Sequence, residues 1–313
     1  MNGIDVSVIM PCYNEEGVIY DVLSCLTDEL AKTKHSFEII FCDNGSTDNS
    51  RIIASQFPVH TINSVSRTVA GVRNDGVAVA KGKMFIFLDS DIVVGRDWGE
   101  VVAEVFEMVV GSGVIVGSHP TFPDTVSPIL RSWYEAISND MRSTHMGTGH
   151  MIISTENFHR IGRFDDSLVS GEDYDFCAKA KQLGMSIVTE PRLLVCHVGY
   201  PANLLDFAKR EMWHGEGDFR HLKSMLKSKV ALTALLFSLS LIVSFFMLFV
   251  NITTAQVFFI VALGVAIATQ YYKFGSASLW ITICRSFISC IYLFSRSASL
   301  PMIMSKKLKF LFS

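Results

Sequence analysis

Two carboxylates one residue apart, Asp89-Ser90-Asp91, follow directly on the apolar run Met84-Phe85-Ile86-Phe87-Leu88. Carboxylate oxygens are hard ligands, and Mg2+ is commonly held by one or two of them together with substrate phosphates. A pair at a strand end therefore suits a divalent cation, Mg2+ or Mn2+, that neutralises a diphosphate leaving group. Asp-x-Asp alone is common by chance and often an exposed turn. Its place after a buried-strand pattern lifts it above that. A second acidic group, Glu172-Asp173 with Asp175 nearby, opens a helix expected over Tyr174 to Leu183. Acids at a helix start have a plain structural explanation in the helix dipole. They also fit a general base acting on a hydroxyl. Phosphoryl transfer would use the same parts, so composition and spacing leave the reaction open.

The elements that must position these groups alternate along the N-terminal two hundred residues. Strand-like runs lie at Val6 to Met10, Phe37 to Cys42, Val59 to Ile62 and Met84 to Leu88. Helical periodicity separates them, from Glu15 to Lys32 (through Val18, Val22, Leu26 and Leu30), up to Gln56 after a cap at Thr47 or Asp48, and through Val69 to Ala80. The strands are apolar on both faces, which predicts a mostly parallel sheet covered by helices on both sides, an α/β fold. In such sheets ligands bind beyond the carboxyl ends of the strands. The polar clusters fall there: Asn14-Glu15, Asp43 to Asp48, and Asp89 to Asp91. Beyond Gly117 the alternation weakens. Prolines 120, 123 and 128 mark a loop, Ile129 to Met141 has a helical pattern, and Gly147-Thr148-Gly149-His150 forms a turn before the strand-like Met151-Ile152-Ile153.

The 313 residues carry 27 basic and 30 acidic side chains; half are hydrophobic and only 18% are charged. Soluble domains usually carry about 25% charge, so a membrane part is expected, and the balance is not that of a nucleic-acid binder. From Lys229 onward there is no Asp or Glu, and seven basic residues give that stretch +7. Residues 1–228 carry the remaining −10 and read as an acidic cytosolic domain; 229–313 read as a membrane domain. Uncharged runs at 230–250 and 255–272 are long enough to span a bilayer. Lys223, Lys227 and Lys229 before the first and Lys273 after the second put both outer ends on the cytoplasmic side. Residues 278–304 are apolar, yet Thr282, Arg285, Ser286, Ser289 and Arg296 recur on one face. Two arginines in mid-span would be costly, and a third span would carry Lys306, Lys307 and Lys309 across. An amphipathic helix in the interface is therefore expected there. The seven cysteines are odd in number and none forms Cys-x-x-Cys, so free thiols in a reducing compartment are expected. Met1 leads straight into a strand with no leader pattern.

The reaction is suggested by a resemblance. The segments VSVIMPCYNEE (6–16), DNGSTDNS (43–50), GVRNDGVAVAKG (71–82), FLDSD (87–91) and GRFDDSLVSGEDYDF (162–176) resemble, in order and spacing, those of family 2 glycosyltransferases, over about residues 4–218. The resemblance implies a GT-A fold, a nucleotide-sugar donor, a divalent cation and inversion at the anomeric carbon by direct displacement. It implies that Pro11, Tyr13, Glu15 and Asp43 hold the base and ribose and that Arg73 lies near the donor. It gives Asp89 contacts with donor and metal, Asp91 the metal, and Asp173 the role of base with Glu172 beside it. His197 stands where the family often has a metal-reaching histidine. Trp213-His214-Gly215, after Lys209-Arg210, resembles a segment that closes over the donor diphosphate, which brings Arg210 and Trp213 into the expected donor site. Met146 to His150 resembles the acceptor-side loop. Each has a plainer alternative: a structural histidine, a solvated helix charge, a surface turn. Asp48 is expected to cap a helix, Asp75 to lie on the surface, and Asp165 and Asp166 to form turns.

One departure matters. Processive synthases of the family carry Gln/Arg-x-x-Arg-Trp, whereas Lys209-Arg210-Glu211-Met212-Trp213 has Met at the second arginine. A non-processive enzyme is therefore expected, adding a sugar to a hydroxyl of a membrane-associated, lipid-linked glycan on the cytoplasmic side, in a bacterial inner membrane. Transfer to polyprenyl phosphate and a silent nucleotide-sugar-binding scaffold are the alternatives. Nucleic acid is not among the expected partners; membrane lipid is.

Overall fold

The computed structural model describes residues 3–138, 145–219, 225–226 and 228–311, with side chains to residue 303. Lys223, Lys227, the far end of the helix expected to reach Met141, and the side chains of Lys306, Lys307 and Lys309 lie outside the described residues. The chain forms two compact units, 1–123 with 138–200, and 124–137 with 201–313.

The first unit is built on a seven-stranded sheet. Its strands are β1 (Val6–Cys12), β2 (Phe37–Asp43), β3 (His60–Asn63), β4 (Met84–Leu88), β6 (Val114–Gly117), β7 (His150–Ser154) and β8 (Ser186–Thr189), in the order β3-β2-β1-β4-β7-β6-β8. β5 (Ile92–Val94) pairs separately with β9 (Val195–His197). Strands β1, β2 and β4 are parallel, as their two-sided apolar character predicts, and the partly exposed edge strand β3 is parallel as well. β7 runs antiparallel to β4 and β6, so the sheet is mostly rather than wholly parallel. Residues alternate between its faces. Val6, Val8 and Met10 pack with α1 (Ile19–Leu30) and α4 (Trp98–Gly111) on one side. Ile9, Phe85 and Phe87 pack on the other with α3 (Val69–Val79), α6 (Thr155–Ile161) and α7 (Glu172–Gln182). At Gly76 of α3 a Cβ would lie 2.6 Å from Cys42 Sγ and from Ile9 Cγ2, so glycine permits the close seat of this helix on the sheet. The short helix α2 (Ser50–Ala54) follows β2. Strand order reverses between β1 and β4, and at such a switch point the loops part and leave a crevice.

The second unit is helical: α5 (Pro128–Ser138, to residue 137), α8 (Leu204–Phe219), α9 (Lys229–Met247), α10 (Ile252–Phe274) and α11 (Leu279–Leu311). α8 and α5 thus group with the C-terminal helices, and the division falls after Tyr200 rather than at 228. The physical reason is packing. Trp133 of α5 meets Phe207, Phe274 and Tyr292 with ring centroids 4.7–5.8 Å apart. Three helices are long and apolar enough to cross a membrane: Lys229–Met247, Ile252–Phe274 and Leu279–Ile303. α9 buries Ala231, Ala234, Phe237, Ser240 and Ser244, and α10 buries Ala255, Ala262, Ala266 and Gln270. The alanines and serines among them let helix backbones approach closely. Asn251, in the expected hairpin tip, caps α10 by accepting from Thr254 N at 3.0 Å. The polar face read in 278–304 is spent inside this unit. Arg285 Nε donates to Ser132 O at 2.9 Å, and Arg296 pairs with Glu211 and Asp218 of α8, each at 2.8 Å.

Candidate active site

The crevice beyond β1 and β4 has a volume of about 250 Å3 and is lined by Pro11, Cys12, Tyr13, Glu15, Asn44, Val69, Val72, Asp89, Ser90 and Asp91. It thus takes in five of the expected site residues, from two motifs far apart in the chain. The loop after β1 turns sharply at Asn14, whose φ of 57° is unusual outside glycine. It is tied to the loop after β2: Thr47 N donates to Asn14 Oδ1 at 2.8 Å, Glu15 N to Ser50 Oγ at 2.7 Å, and Glu16 N to Asp48 Oδ2 at 3.0 Å. Asp48 also accepts from Ser50 N, so it fixes this loop as well as the start of α2. Tyr13 is left 57% exposed at the rim. Burial, with Asp48 and Asp89 nearby, raises the Glu15 carboxyl above its ordinary range. Asp43 is buried, accepts from Ser46 N at 3.2 Å and has Arg51 Nε at 3.7 Å.

Arg73 joins two halves of the site. Its guanidinium reaches Asp89 Oδ1 at 2.5 Å through Nη2 and Glu172 Oε1 at 3.0 Å through Nη1, and the residue is almost wholly buried. Burial disfavours its charge, but Asp89 and Glu172 outweigh that and hold it protonated. Glu172 also accepts from Thr148 Oγ1 at 3.0 Å, so it is locked at the start of α7. Asp173 beside it is placed differently. It accepts from Tyr174 N at 2.8 Å through Oδ1, and its Oδ2 has His145 Nε2 at 3.6 Å. Burial first, and the Glu172 charge second, push its carboxyl up to about 6. A carboxylate titrating there is poised as a general base near neutral pH.

The loop at 147–149 brings these acids to one place. A Cβ at Gly149 would lie 2.9 Å from Asp89 Oδ2, and one at Gly147 would lie 4.0 Å from Asp173 Oδ2. The loop therefore borders both Asp89 and Asp173. Gly199 makes the same kind of room for Asp91, whose carboxylate a Cβ there would strike. His197 is carried to Asp91 by the pairing of β9 with β5. Ile92 and His197 are register partners, and His197 Nδ1 is 3.4 Å from Asp91 Oδ2, with the ring stacked on Tyr200.

Among the described residues no three His, Cys, Asp or Glu side chains cluster tightly enough to hold a cation unaided. The donor chemistry nonetheless fits one that takes its other ligands from a diphosphate: Asp91 and His197 converge, while Asp89 is engaged by Arg73. Arg210 and Trp213 both lie on α8 in the second unit, Trp213 being 47% exposed. Asp75 is not a plain surface residue as expected, since its Oδ2 accepts from Ser64 and Ser66 hydroxyls at 2.6 and 2.8 Å. Asp165 does form a turn, accepting from Ser167 N at 3.0 Å. Thr148, His145 and Tyr200 were not singled out as contacts of the acids. They are contributed by loops, where no periodicity announces a partner.

Residues 7–162, from β1 through α6, match the family described as glycosyl transferase family 2. The chain carries a family 2 glycosyltransferase domain. This glycosyltransferase is 25% identical over 228 residues to glycosyltransferase AglE of Haloferax volcanii, covering 69% of this chain and 73% of that protein. It is 28% identical over 207 residues to the amylovoran biosynthesis glycosyltransferase AmsB of Erwinia amylovora, covering 60% and 67%. It is 34% identical over 95 residues to WfgD of Escherichia coli, a UDP-Glc:alpha-D-GlcNAc-diphosphoundecaprenol beta-1,3-glucosyltransferase, covering 29% and 36%. In fold it is similar to the mannosyltransferase PcManGT from Pyrobaculum calidifontis, solved with GDP-Man and Mn2+, with a TM-score of 0.59 at 15% identity over 96% of this chain and 87% of that one. The glycosyltransferase domain is thus a GT-A-like sheet with helices, followed by apolar C-terminal helices.

Proposed function

We propose that this glycosyltransferase is inverting and non-processive and moves a sugar from a nucleotide donor to a hydroxyl of a membrane-associated, lipid-linked glycan. The observation that carries the reading is the Arg73 bridge, because it ties the donor-side Asp89 to the acidic pair at the start of α7. In this reading the nucleotide lies in the crevice between the loops after β1 and β4, against Pro11, Tyr13, Glu15 and the Asp43 loop. The resemblance assigns Arg210 and Trp213 of α8 to the donor diphosphate. Asp91 and His197, with Asp89, would hold a divalent cation, whose positive charge would stabilise the departing diphosphate. Asp173 takes the proton of the acceptor hydroxyl as its oxygen attacks the anomeric carbon opposite the leaving group. Glu172, fixed by Arg73 and Thr148, holds negative charge beside Asp173 and keeps it basic.

An acceptor in or on the membrane suits a domain followed by helices able to cross one, since anchoring concentrates the enzyme where such an acceptor lies. WfgD, named for a diphosphoundecaprenol acceptor, supports the same class. The loop of the α9–α10 hairpin carries no charge, and basic residues flank its outer ends, which supports a cytoplasmic catalytic domain at a bacterial inner membrane. Residues 278–304 then lie in the cytoplasmic interface with their arginines held by α5 and α8.

The test is to incubate the purified full chain with UDP-glucose, UDP-galactose, UDP-N-acetylglucosamine and GDP-mannose in turn, with Mn2+ and bacterial lipid extract. Nucleotide release coupled to a labelled lipid product, abolished by Asp173→Asn with donor binding kept, is expected. Asp173→Asn retaining full transfer would shift the reading to a polyprenyl-phosphate acceptor, which is already ionised. No release with any donor would favour a binding scaffold.

A further inference from the structure

The side chains next to Asp173 form an arrangement that the donor site does not use. Tyr174 is 63% exposed although it directly follows the buried-leaning acidic pair. Its ring is stacked on His145, with centroids 3.8 Å apart and planes 16° from parallel. The same imidazole turns its edge to Asp173, Nε2 lying 3.6 Å from Oδ2. The other carboxylate oxygen, Oδ1, is already taken by the Tyr174 amide at 2.8 Å. A separation of 3.6 Å is too long for a hydrogen bond between the two groups themselves. It does admit a single oxygen sited about 2.8 Å from each, the ordinary length for such bonds.

We propose that Tyr174 and His145 form the acceptor subsite, and that its ligand is a pyranose. The inference rests on the glycosyltransferase reading of Asp173 and adds the residues that receive the acceptor. The exposed Tyr174 ring takes the apolar C–H face of the sugar. The acceptor hydroxyl lies between Asp173 Oδ2 and His145 Nε2, donating its proton to the first and accepting from the N–H of the second. The imidazole is thus required in the tautomer protonated at Nε2. During transfer the O–H bond breaks toward Asp173 and the new C–O bond forms at the anomeric carbon. The anomeric C–O bond to the diphosphate breaks with its electron pair. The His145 N–H steadies the negative charge that grows on the attacking oxygen. Gly147 borders the same carboxylate oxygen, where even a Cβ would come no nearer than 4.0 Å. The stack makes the platform rigid before the sugar arrives, so little ordering remains to be done on binding.

The probe is octyl β-D-glucoside and octyl N-acetyl-β-D-glucosaminide, offered to the full chain in lipid nanodiscs. Saturation-transfer NMR without donor reads contact with the sugar ring protons. Tyr174→Ala is expected to lose that transfer and Tyr174→Phe to keep it. In assays with the active donor, Tyr174→Ala should raise the acceptor KM by about tenfold, with the donor KM changing far less. His145→Phe retains the stack and should lower kcat with little change in acceptor KM. Unchanged saturation transfer in Tyr174→Ala, or a donor KM that moves with the acceptor KM, overturns the subsite. Sugar contact that depends on Tyr174 in a chain with no transferase activity would overturn the reading of Asp173 and leave the platform standing.

Discussion

Arg73 and Glu172 stand 99 positions apart in the chain, and their side chains meet at 3.0 Å in the interior. With Asp89 on its other arm, the guanidinium touches both a carboxylate of the Asp-x-Asp pair and one of the acids at the start of α7. In the proposed reading, that geometry couples the donor side of the site to the acceptor side.

Arg73→Lys should therefore disable the enzyme although it keeps the charge. A point ammonium cannot span two carboxylates as a planar fork does. Transfer is expected to fall by about 100-fold or more. Arg73→Met, which leaves the two acids without a counter-charge, should also destabilise the fold by about 3 kcal/mol. Nucleotide-release kinetics and thermal unfolding check the two effects separately.

The pH dependence follows from Asp173. Its carboxyl titrates at about 6, above the ordinary 3.8, and the base must be ionised to act. The value of kcat/KM should be level above that pH and fall by about tenfold per unit below it. A profile whose acid limb lay near 4 would remove Asp173 as the titrating base.

Removal of divalent cations by EDTA should abolish transfer, and added Mn2+ should restore it. Asp91→Asn and His197→Ala are each expected to raise the half-saturating Mn2+ concentration by about 10-fold or more. Mn2+ titrations of donor turnover give the number directly; an unchanged requirement in both variants would exclude them as ligands.

Three glycines offer a graded test of crowding. Gly149→Ala would push a methyl to 2.9 Å from Asp89 Oδ2, and Gly199→Ala would strike Asp91, whereas Gly147→Ala reaches only ordinary contact with Asp173. The first two should cut donor turnover sharply in a chain that still folds. The third should be nearly silent. Circular dichroism beside the assay separates folding from function.

Arg296→Met should lower the melting temperature, since Glu211 and Asp218 would face each other without the cation between them. Adding Glu211→Gln and Asp218→Asn to the same chain should recover most of the loss. No recovery would mean that the packing of the Arg296 stem, not its charge, matters.

Much of this was legible in the residues. Strands at Val6, Phe37 and Met84 were readable because a parallel strand is buried on both faces and must be apolar throughout. Asp89 and Asp91 were readable because they sit at such a strand's end. The antiparallel β7 was not, since Met151-Ile152-Ile153 has the same composition whichever way it pairs. Nor was the grouping of α5 with the C-terminal helices. The amphipathic face at 278–304 told that Arg285 and Arg296 needed polar company, but not that the company was Ser132, Glu211 and Asp218.

The sequence by itself determined local quantities: the alternating strands and helices as far as Leu88, where the acids fall, and which C-terminal segments are apolar enough for a membrane. Only the tertiary structure decided which acids are engaged and which are left to react. Glu172 and Asp173 are neighbours of similar chemistry, yet one is bound by Arg73 and Thr148 while the other is desolvated and raised to about 6. The cause is that a carboxylate's reactivity depends on the charges and burial around it, and those are supplied by residues up to 99 positions away.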